Sequence, residues 1–138
     1  MHKRDLILRQ FEEFGKFLAT IIGNKQKEDY DEVSNLINAG TLKYSGISVE
    51  EIEQLDKENF ITFLTQEKKL TDEQLKMLAD LLYENGINYL NTFSNQEIEI
   101  QSCFIKAQLL YNFVNQNATL PYSLDTHYKL EAIKEFLK

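Results

Sequence analysis

Few residues of this 138-residue chain have types and spacings suited to chemistry. The single cysteine, Cys103, rules out an internal disulfide, and with only His2 and His127 it forms no recognisable zinc motif. Cys103 precedes Phe104 in an apolar segment, where a thiol is an inert hydrophobic group. His127 has no cysteine, second histidine or serine motif near it, so we interpret it as structural. Without a glycine-rich phosphate loop, HExxH or GxSxG, the sequence predicts no catalytic residue, no metal and no cofactor.

Acidic residues are grouped at three places, and none of these groups has the arrangement of a functional site. Glu50, Glu51 and Glu53 are interpreted as a solvated helix start, where carboxylates complement the helix dipole. Asp29, Asp31 and Glu32 are followed by no turn glycine, which a calcium loop requires. We expect them to begin a helix, where carboxylates complement the helix dipole. Glu97 and Glu99 lie about 200° apart around a helix, so they cannot both face one substrate as an acid–base pair.

The only two arginines, Arg4 and Arg9, both fall in the first predicted helix. Arginine favours bidentate contacts with anions, so a carboxylate or phosphate of a partner is one interpretation. The other is pairing along the helix with Asp5, Glu12 or Glu13, which we favour.

Three tyrosines could line a groove, because tyrosine combines a large contact area with a polar tip. They are Tyr83, Tyr89 and Tyr111, and core packing is the alternative that we favour. Together with the two arginines, they are the candidate partner-binding residues of the chain.

Charge and composition exclude several classes of partner. The 22 acidic residues outnumber the 15 basic ones, and the net charge of −7 would repel phosphate backbones and anionic lipids. We therefore expect neither nucleic acid nor a membrane as partner. The basic residues 1–4 are followed by too many polar residues for a secretion signal, and the apolar run 17–23 is far shorter than the roughly 20 residues of a membrane span. A cytoplasmic location is expected, and the bias to lysine, asparagine and isoleucine indicates a low-GC, bacterial genome.

The first helix is predicted over residues 4–22 and ends at Gly23 and Asn24. Its buried stripe has helical spacing and comprises Ile7, Phe11, Phe14, Leu18 and Ile21. Gly15 and Ala19 share a second face with Leu8 and Ile22, where small side chains would allow another helix to approach closely.

The second helix is predicted over residues 28–38, with Ala39 and Gly40 as its end and a loop over residues 41–47. Ser48 and Glu51 then form a capping box. Residues 49–67 are either one bent helix or two short helices, and we favour two.

A second capping box, from Thr71 to Gln74, begins a helix of about 20 residues that continues through Gly86. A glycine within a helix must have a packing reason. Ser94 or Asn95 caps the next helix, predicted over residues 96–117, in which Ile98, Ile105, Leu109 and Phe113 widen the buried stripe. Ser123 or Asp125 caps a final helix that extends to Leu137. No alternating strand pattern is present, so the sequence predicts a single all-α domain of about six to seven helices over residues 1–138.

Residues 72–117 resemble a tetratricopeptide-type helical hairpin. Gly86 and Tyr89 match the small and aromatic positions of its first helix, and Phe104 and Ala107 match the aromatic and small positions of its second. Residues 29–33 resemble the start of another repeat helix. The resemblance implies an array of antiparallel helical hairpins.

The whole chain is also similar to a group of uncharacterised bacterial all-helical proteins with no assigned activity, on residues 4–11, 46–52 and 107–123. We therefore expect a non-enzymatic helical-repeat module that binds a protein or peptide. One alternative is a small enzyme or ligand-binding subunit, which would have an enclosed pocket with perturbed pKa values, whereas a binding module would have a shallow open groove. Another is a structural protein that self-associates through its first helix, as a homodimer.

Overall fold

The computed structural model describes residues 3–92, 96–117, 120–121 and 123–138, and within these ranges its regular secondary structure is helical, without a strand. The seven α-helices are α1 Lys3–Gln26, α2 Tyr30–Ser45, α3 Val49–Gln54, α4 Phe60–Thr62, α5 Asp72–Asn91, α6 Glu97–Asn117 and α7 Leu124–Phe136. Helix α4 continues into a π-helical turn, Phe63–Glu67. The prediction of an all-α chain with six to seven helices is confirmed.

Helix α5 is the centre of the fold, because α1, α2 and α6 all pack against it. It contributes Leu75, Leu78, Ala79 and Leu82 to one hydrophobic core, shared with α3, α4, α6 and α7. Its other side contributes Met77 and Leu81 to a second core under α1 and α2. A helix buried on both sides in this way couples the two halves of the chain.

Neighbouring helices run antiparallel to α5 on each side. On the α2 side, Gln74 donates to the carbonyl of Tyr44 and Asn88 donates to the carbonyl of Tyr30, each at 3.3 Å. On the α6 side, Asn85 in the second half of α5 donates to Cys103 in the first half of α6, and Tyr111, later in α6, donates to Asp80, earlier in α5. The order of the contacts therefore reverses along both pairs of helices.

Helix α1 confirms its predicted buried stripe but not its predicted end. Ile7, Phe14 and Ile21 are buried. The helix continues past Gly23 to Gln26, where Lys25 forms an ion pair of 2.8 Å with the buried Glu84 of α5. The predicted end at Gly23 is wrong because this contact with α5 extends the helix by about one turn.

The second face of α1 also differs from its prediction. Gly15 is exposed, and a Cβ atom built on it would have no neighbour within 4 Å. Ala19 is exposed as well, and Leu8 is 41% exposed. No described helix of this chain approaches the face that these small residues leave open.

Helix α2 runs through Gly40 to Ser45, so the predicted end at Gly40 and the loop over residues 41–47 are wrong. A Cβ on Gly40 would lie 2.7 Å from Cε2 of Phe17, so this glycine serves close packing against α1. The helix ends instead at Gly46, whose φ of 73° is left-handed.

Residues 49–67 form two helices, as favoured, and both capping boxes are confirmed. Gly86 lies within α5, as predicted. Ser123 caps α7 by accepting from the Thr126 amide at 3.3 Å. The predicted caps Ser94 and Asn95 lie outside the described residues.

Candidate functional site

The five candidate partner-binding residues do not come together. Arg4 forms an ion pair of 2.5 Å with Glu73 in the first turn of α5, and not with the acidic residues of its own helix. Burial by itself raises the pKa of the Glu73 carboxyl. The hydrogen bond from Arg4, a backbone hydrogen bond and the charge of Arg4 together have a larger effect, so the pKa of Glu73 lies below its ordinary value. Arg9 is exposed on α1. Arg4 thus binds a carboxylate of its own chain.

The tyrosines have three different surroundings. Tyr111 is fully buried and donates its hydroxyl hydrogen to Asp80, so it cannot meet a partner. Tyr83 is half-buried and packs edge-on against Phe104. Tyr89 is half-buried, and its hydroxyl donates to the Glu53 carboxylate of α3 at 2.7 Å. Glu53 also lines a surface groove.

A charged network lies in the interior where α5, α6 and α7 meet. Asp80 accepts from Lys76 at 2.9 Å and from Lys129 at 3.2 Å, in addition to the Tyr111 hydroxyl. Burial alone would lower the pKa of Lys129, but the charges of Asp80 and Asp125 outweigh it and raise that pKa. These paired charges join α5, α6 and α7.

An open groove lies between α3 and the first half of α6, and we call it the α3–α6 groove. It consists of two adjoining depressions of about 280 and 390 Å³ that share Glu53, Ile98 and Ser102. Ile98 is 82% exposed, more than any other large apolar side chain that the structure describes. The half-buried Leu55 and Ile105 complete the apolar part of the lining.

Carboxylates are concentrated at one end of this groove. Glu50, Glu53 and Glu99 supply three of the six residues that line the larger depression. At the other end, Lys57 and Lys106 line the smaller depression. The larger depression is therefore acidic, whereas the smaller one combines the two lysines with Glu53 and with the apolar side chains.

Helix α3, which forms one wall, is held in place by polar bonds from two other helices. Lys106 of α6 is buried, and its ammonium group donates to the carbonyl of Ile52 at 2.7 Å and contacts that of Glu53 at 3.5 Å. A cation at these last carbonyls complements the helix dipole. Burial lowers the pKa of Lys106. Burial, with the hydrogen bond to Glu53, raises the pKa of the Tyr89 hydroxyl on the other side of α3.

The only cysteine lies behind the groove and is buried, as predicted. Asn85 donates to the Cys103 sulfur at 3.5 Å, and burial is the main cause that raises the pKa of the thiol to about 12. Cys103 is therefore protonated at neutral pH, and a protonated thiol is a poor nucleophile.

Ile98 lies at the surface, so the prediction that it widens the buried stripe of α6 is wrong. The flanking Glu97 and Glu99 were the available signal, because an apolar residue between two carboxylates in a first turn lies away from the core of a helix bundle.

Among the described residues, no group of three or more histidine, cysteine or acidic side chains could hold a metal ion. None of the helices in the described part of the chain has the length and hydrophobicity needed to cross a membrane. Protein-family models, curated proteins and solved structures give no match to this chain.

Proposed function

We propose that this chain is a non-enzymatic helical module that binds a segment of a protein or peptide in the α3–α6 groove. The exposure of Ile98, 82% at the edge of an open groove, carries this proposal. An aliphatic side chain exposed beside the half-buried Leu55 and Ile105 offers an anchor site surrounded by polar groups, which is the usual composition of a protein interface.

The shape of the groove favours a binding module over a small enzyme. Both depressions open to solvent, whereas substrate sites enclose most of their ligand. Of the three nearby groups with perturbed pKa values, Lys106 binds carbonyls of α3, Tyr89 donates its hydroxyl hydrogen to Glu53, and Cys103 is protonated and buried. None of them is arranged for acid–base or nucleophilic chemistry.

We also propose that α5 and α6 form a tetratricopeptide-like hairpin. The contact of Gly86 with Phe104 and the complete burial of Ala107 support it, since both occur at the small and aromatic positions of that motif. A hairpin of this kind presents grooves between stacked helices, which are the binding surfaces of helical-repeat proteins.

The experiment selects peptides from an unbiased random library on the purified protein. Selected peptides are then measured against two variants, Ile98→Asp and Leu124→Asp. Leu124 is a matched control because it is also an exposed aliphatic residue, 63% exposed, at the start of α7. We expect Ile98→Asp to weaken binding at least about tenfold and Leu124→Asp to leave it unchanged. Failure to select any peptide, or equal binding by both variants, overturns the proposal.

A second candidate function, self-association through α1, is favoured by the open face around Gly15. In an antiparallel pairing centred on Gly15, Leu8 would pack near Ile22 of the second copy, and Glu12 would lie beside that copy's Lys16. Light scattering during size-exclusion chromatography tests it. Leu8→Asp should abolish a dimer, while Leu6→Asp, about 200° away around the same helix, should not. A monomer at all accessible concentrations overturns this candidate.

A further inference from the structure

We propose that the segment bound in the α3–α6 groove is cationic: a helical segment with two aliphatic side chains seven residues apart and arginine or lysine beside them. This inference rests on the proposed function and restricts its partner to one chemistry. Its basis is the arrangement of carboxylates and isoleucines along the groove.

The charge of the groove selects the sign of the partner. The larger depression is lined by Glu50, Glu53 and Glu99, and no cationic side chain lines it. None of the three carboxylates forms an ion pair with a described residue; Glu53 accepts only the neutral hydroxyl of Tyr89. Three carboxylates that form no ion pair with a described residue attract a cationic segment and repel an anionic one, and the net charge of −7 acts in the same direction.

The opposite end of the groove does not reverse this selection. The Lys106 ammonium there is buried and already donates to the carbonyl of Ile52. Lys57 is exposed and is the other cation of the smaller depression. One exposed ammonium and one engaged ammonium thus oppose three carboxylates, so the acidic end dominates.

The spacing of the isoleucines sets the form of the partner. Ile98 and Ile105 both line the smaller depression and are seven residues apart, which is about 10 Å along α6. Two aliphatic side chains seven residues apart in a helical segment span the same distance. A helix laid along α6 therefore reaches both anchor positions while its basic residues lie over Glu50 and Glu99.

The test uses three synthetic peptides of about 16 residues, designed on alanine-rich helices. The first has two leucines seven positions apart, flanked by arginines. The second replaces the arginines with glutamates, and the third replaces the leucines with serines. Fluorescence anisotropy should show the arginine peptide binding at least about tenfold more tightly than either of the others. Raising the salt concentration from about 0.05 to about 0.5 M should weaken the binding of the arginine peptide by about tenfold.

A charge-reversal pair tests the carboxylates themselves. We expect Glu50→Lys combined with Glu99→Lys to weaken the arginine peptide at least about tenfold. Glu67→Lys combined with Glu131→Lys is the control, because it makes the same change in net charge at exposed positions that do not line the groove. That control should change affinity less than about threefold.

The outcomes separate this inference from the proposed function. Equal binding of the arginine and glutamate peptides, no binding of the arginine peptide, or equal effects of the two charge reversals overturns the cationic partner. The random-library selection then tests whether the groove binds peptides at all. If the selected peptides lose binding with Ile98→Asp but carry no basic residues, the proposed function is supported and this inference is rejected.

Discussion

Gly86 of α5 lies directly against the ring of Phe104 in α6. A Cβ atom on Gly86 would stand 2.8 Å from Cζ and 2.9 Å from Cε1 of that ring. The ring has little freedom to move, because it stacks on Phe136 at 4.4 Å between centroids and packs edge-on against Tyr83 at 5.9 Å. The close packing of α5 against α6 therefore depends on the absence of a side chain at position 86.

Gly86→Ala should destabilise the protein by about 1–3 kcal/mol through overpacking, even though alanine favours a helix. Gly86→Asn should be worse than alanine, because the site is within a helix and lacks the left-handed geometry that asparagine tolerates. Urea unfolding measures both. Gly15→Ala is the control: with no neighbour within 4 Å, it should stabilise by about 0.4–1 kcal/mol. Stabilisation by Gly86→Ala would contradict the packing described here.

Phe104→Ala should destabilise by about 3–5 kcal/mol, because the side chain is fully buried between α5 and α7 and its removal leaves a cavity. Tyr128→Ala, at a position that is 63% exposed, should stay within about 0.5 kcal/mol of the wild type. Denaturant titration followed by circular dichroism compares them. A loss below about 1 kcal/mol for Phe104→Ala would reject its place in the core.

The Lys129 ion pairs should stabilise the protein in a pH-dependent way. Burial lowers the pKa of Lys129, but Asp80 and Asp125 outweigh it and raise that pKa above its ordinary value of 10.5. A group with a raised folded-state pKa contributes fully below its unfolded pKa and loses the contribution as pH rises through the folded pKa. Lys129→Met should therefore cost about 1–3 kcal/mol at neutral pH.

Unfolding experiments on the wild type and Lys129→Met across the alkaline range measure this dependence. The difference in unfolding free energy should stay constant up to about pH 10 and narrow above it. Lys134→Met is the control, since that exposed lysine pairs only with an exposed Glu131 and should give a difference near zero at every pH. If the difference in unfolding free energy between the wild type and Lys129→Met grows with pH, the raised pKa of Lys129 is contradicted.

Lys106→Met should loosen α3 without unfolding the chain, because the Ile52 carbonyl loses a charge-assisted hydrogen bond worth about 1.5–3 kcal/mol. Amide hydrogen exchange measured peptide by peptide should become at least about tenfold faster in residues 49–54 and remain unchanged in α7. Uniformly faster exchange in both regions would mean that Lys106 supports the whole fold instead of this one helix.

The helices that could be predicted from sequence are those with local signals. The stripe of α1 and the two capping boxes follow from side-chain spacing and from hydrogen bonds within a few residues, and they are confirmed. The prediction that Gly86 lies within a helix is confirmed, because apolar spacing continues beyond it. The prediction that Gly40 ends a helix is wrong, although Phe17 lies as close to it as Phe104 does to Gly86. Local sequence does not show which aromatic ring packs against a glycine. Tertiary packing therefore determines that both Gly40 and Gly86 lie within helices.

The groove could not be predicted from sequence for the same reason. Glu53 and Ile98 are 45 positions apart, and they share a surface only because Lys106 and Tyr89 hold α3 beside α6. The closed network around Asp80 likewise joins three helices and had no local signature. Tyrosine and arginine are residue types that often bind partners. In this structure, however, Tyr111 is fully buried and Arg4 forms an ion pair with Glu73 of the same chain.

The most direct test of the groove is a methyl NMR titration of the protein with the arginine peptide. We predict saturable shifts at the methyl groups of Ile98, Ile105 and Leu55, and none at Leu8 on α1 or Leu124 on α7. The same titration of the Ile98→Asp variant should give no saturable shifts at Ile105 and Leu55. Shifts centred on Leu8 or Leu124, or saturable shifts at Ile105 that persist at full strength in Ile98→Asp, would contradict the assignment of the α3–α6 groove as the binding site.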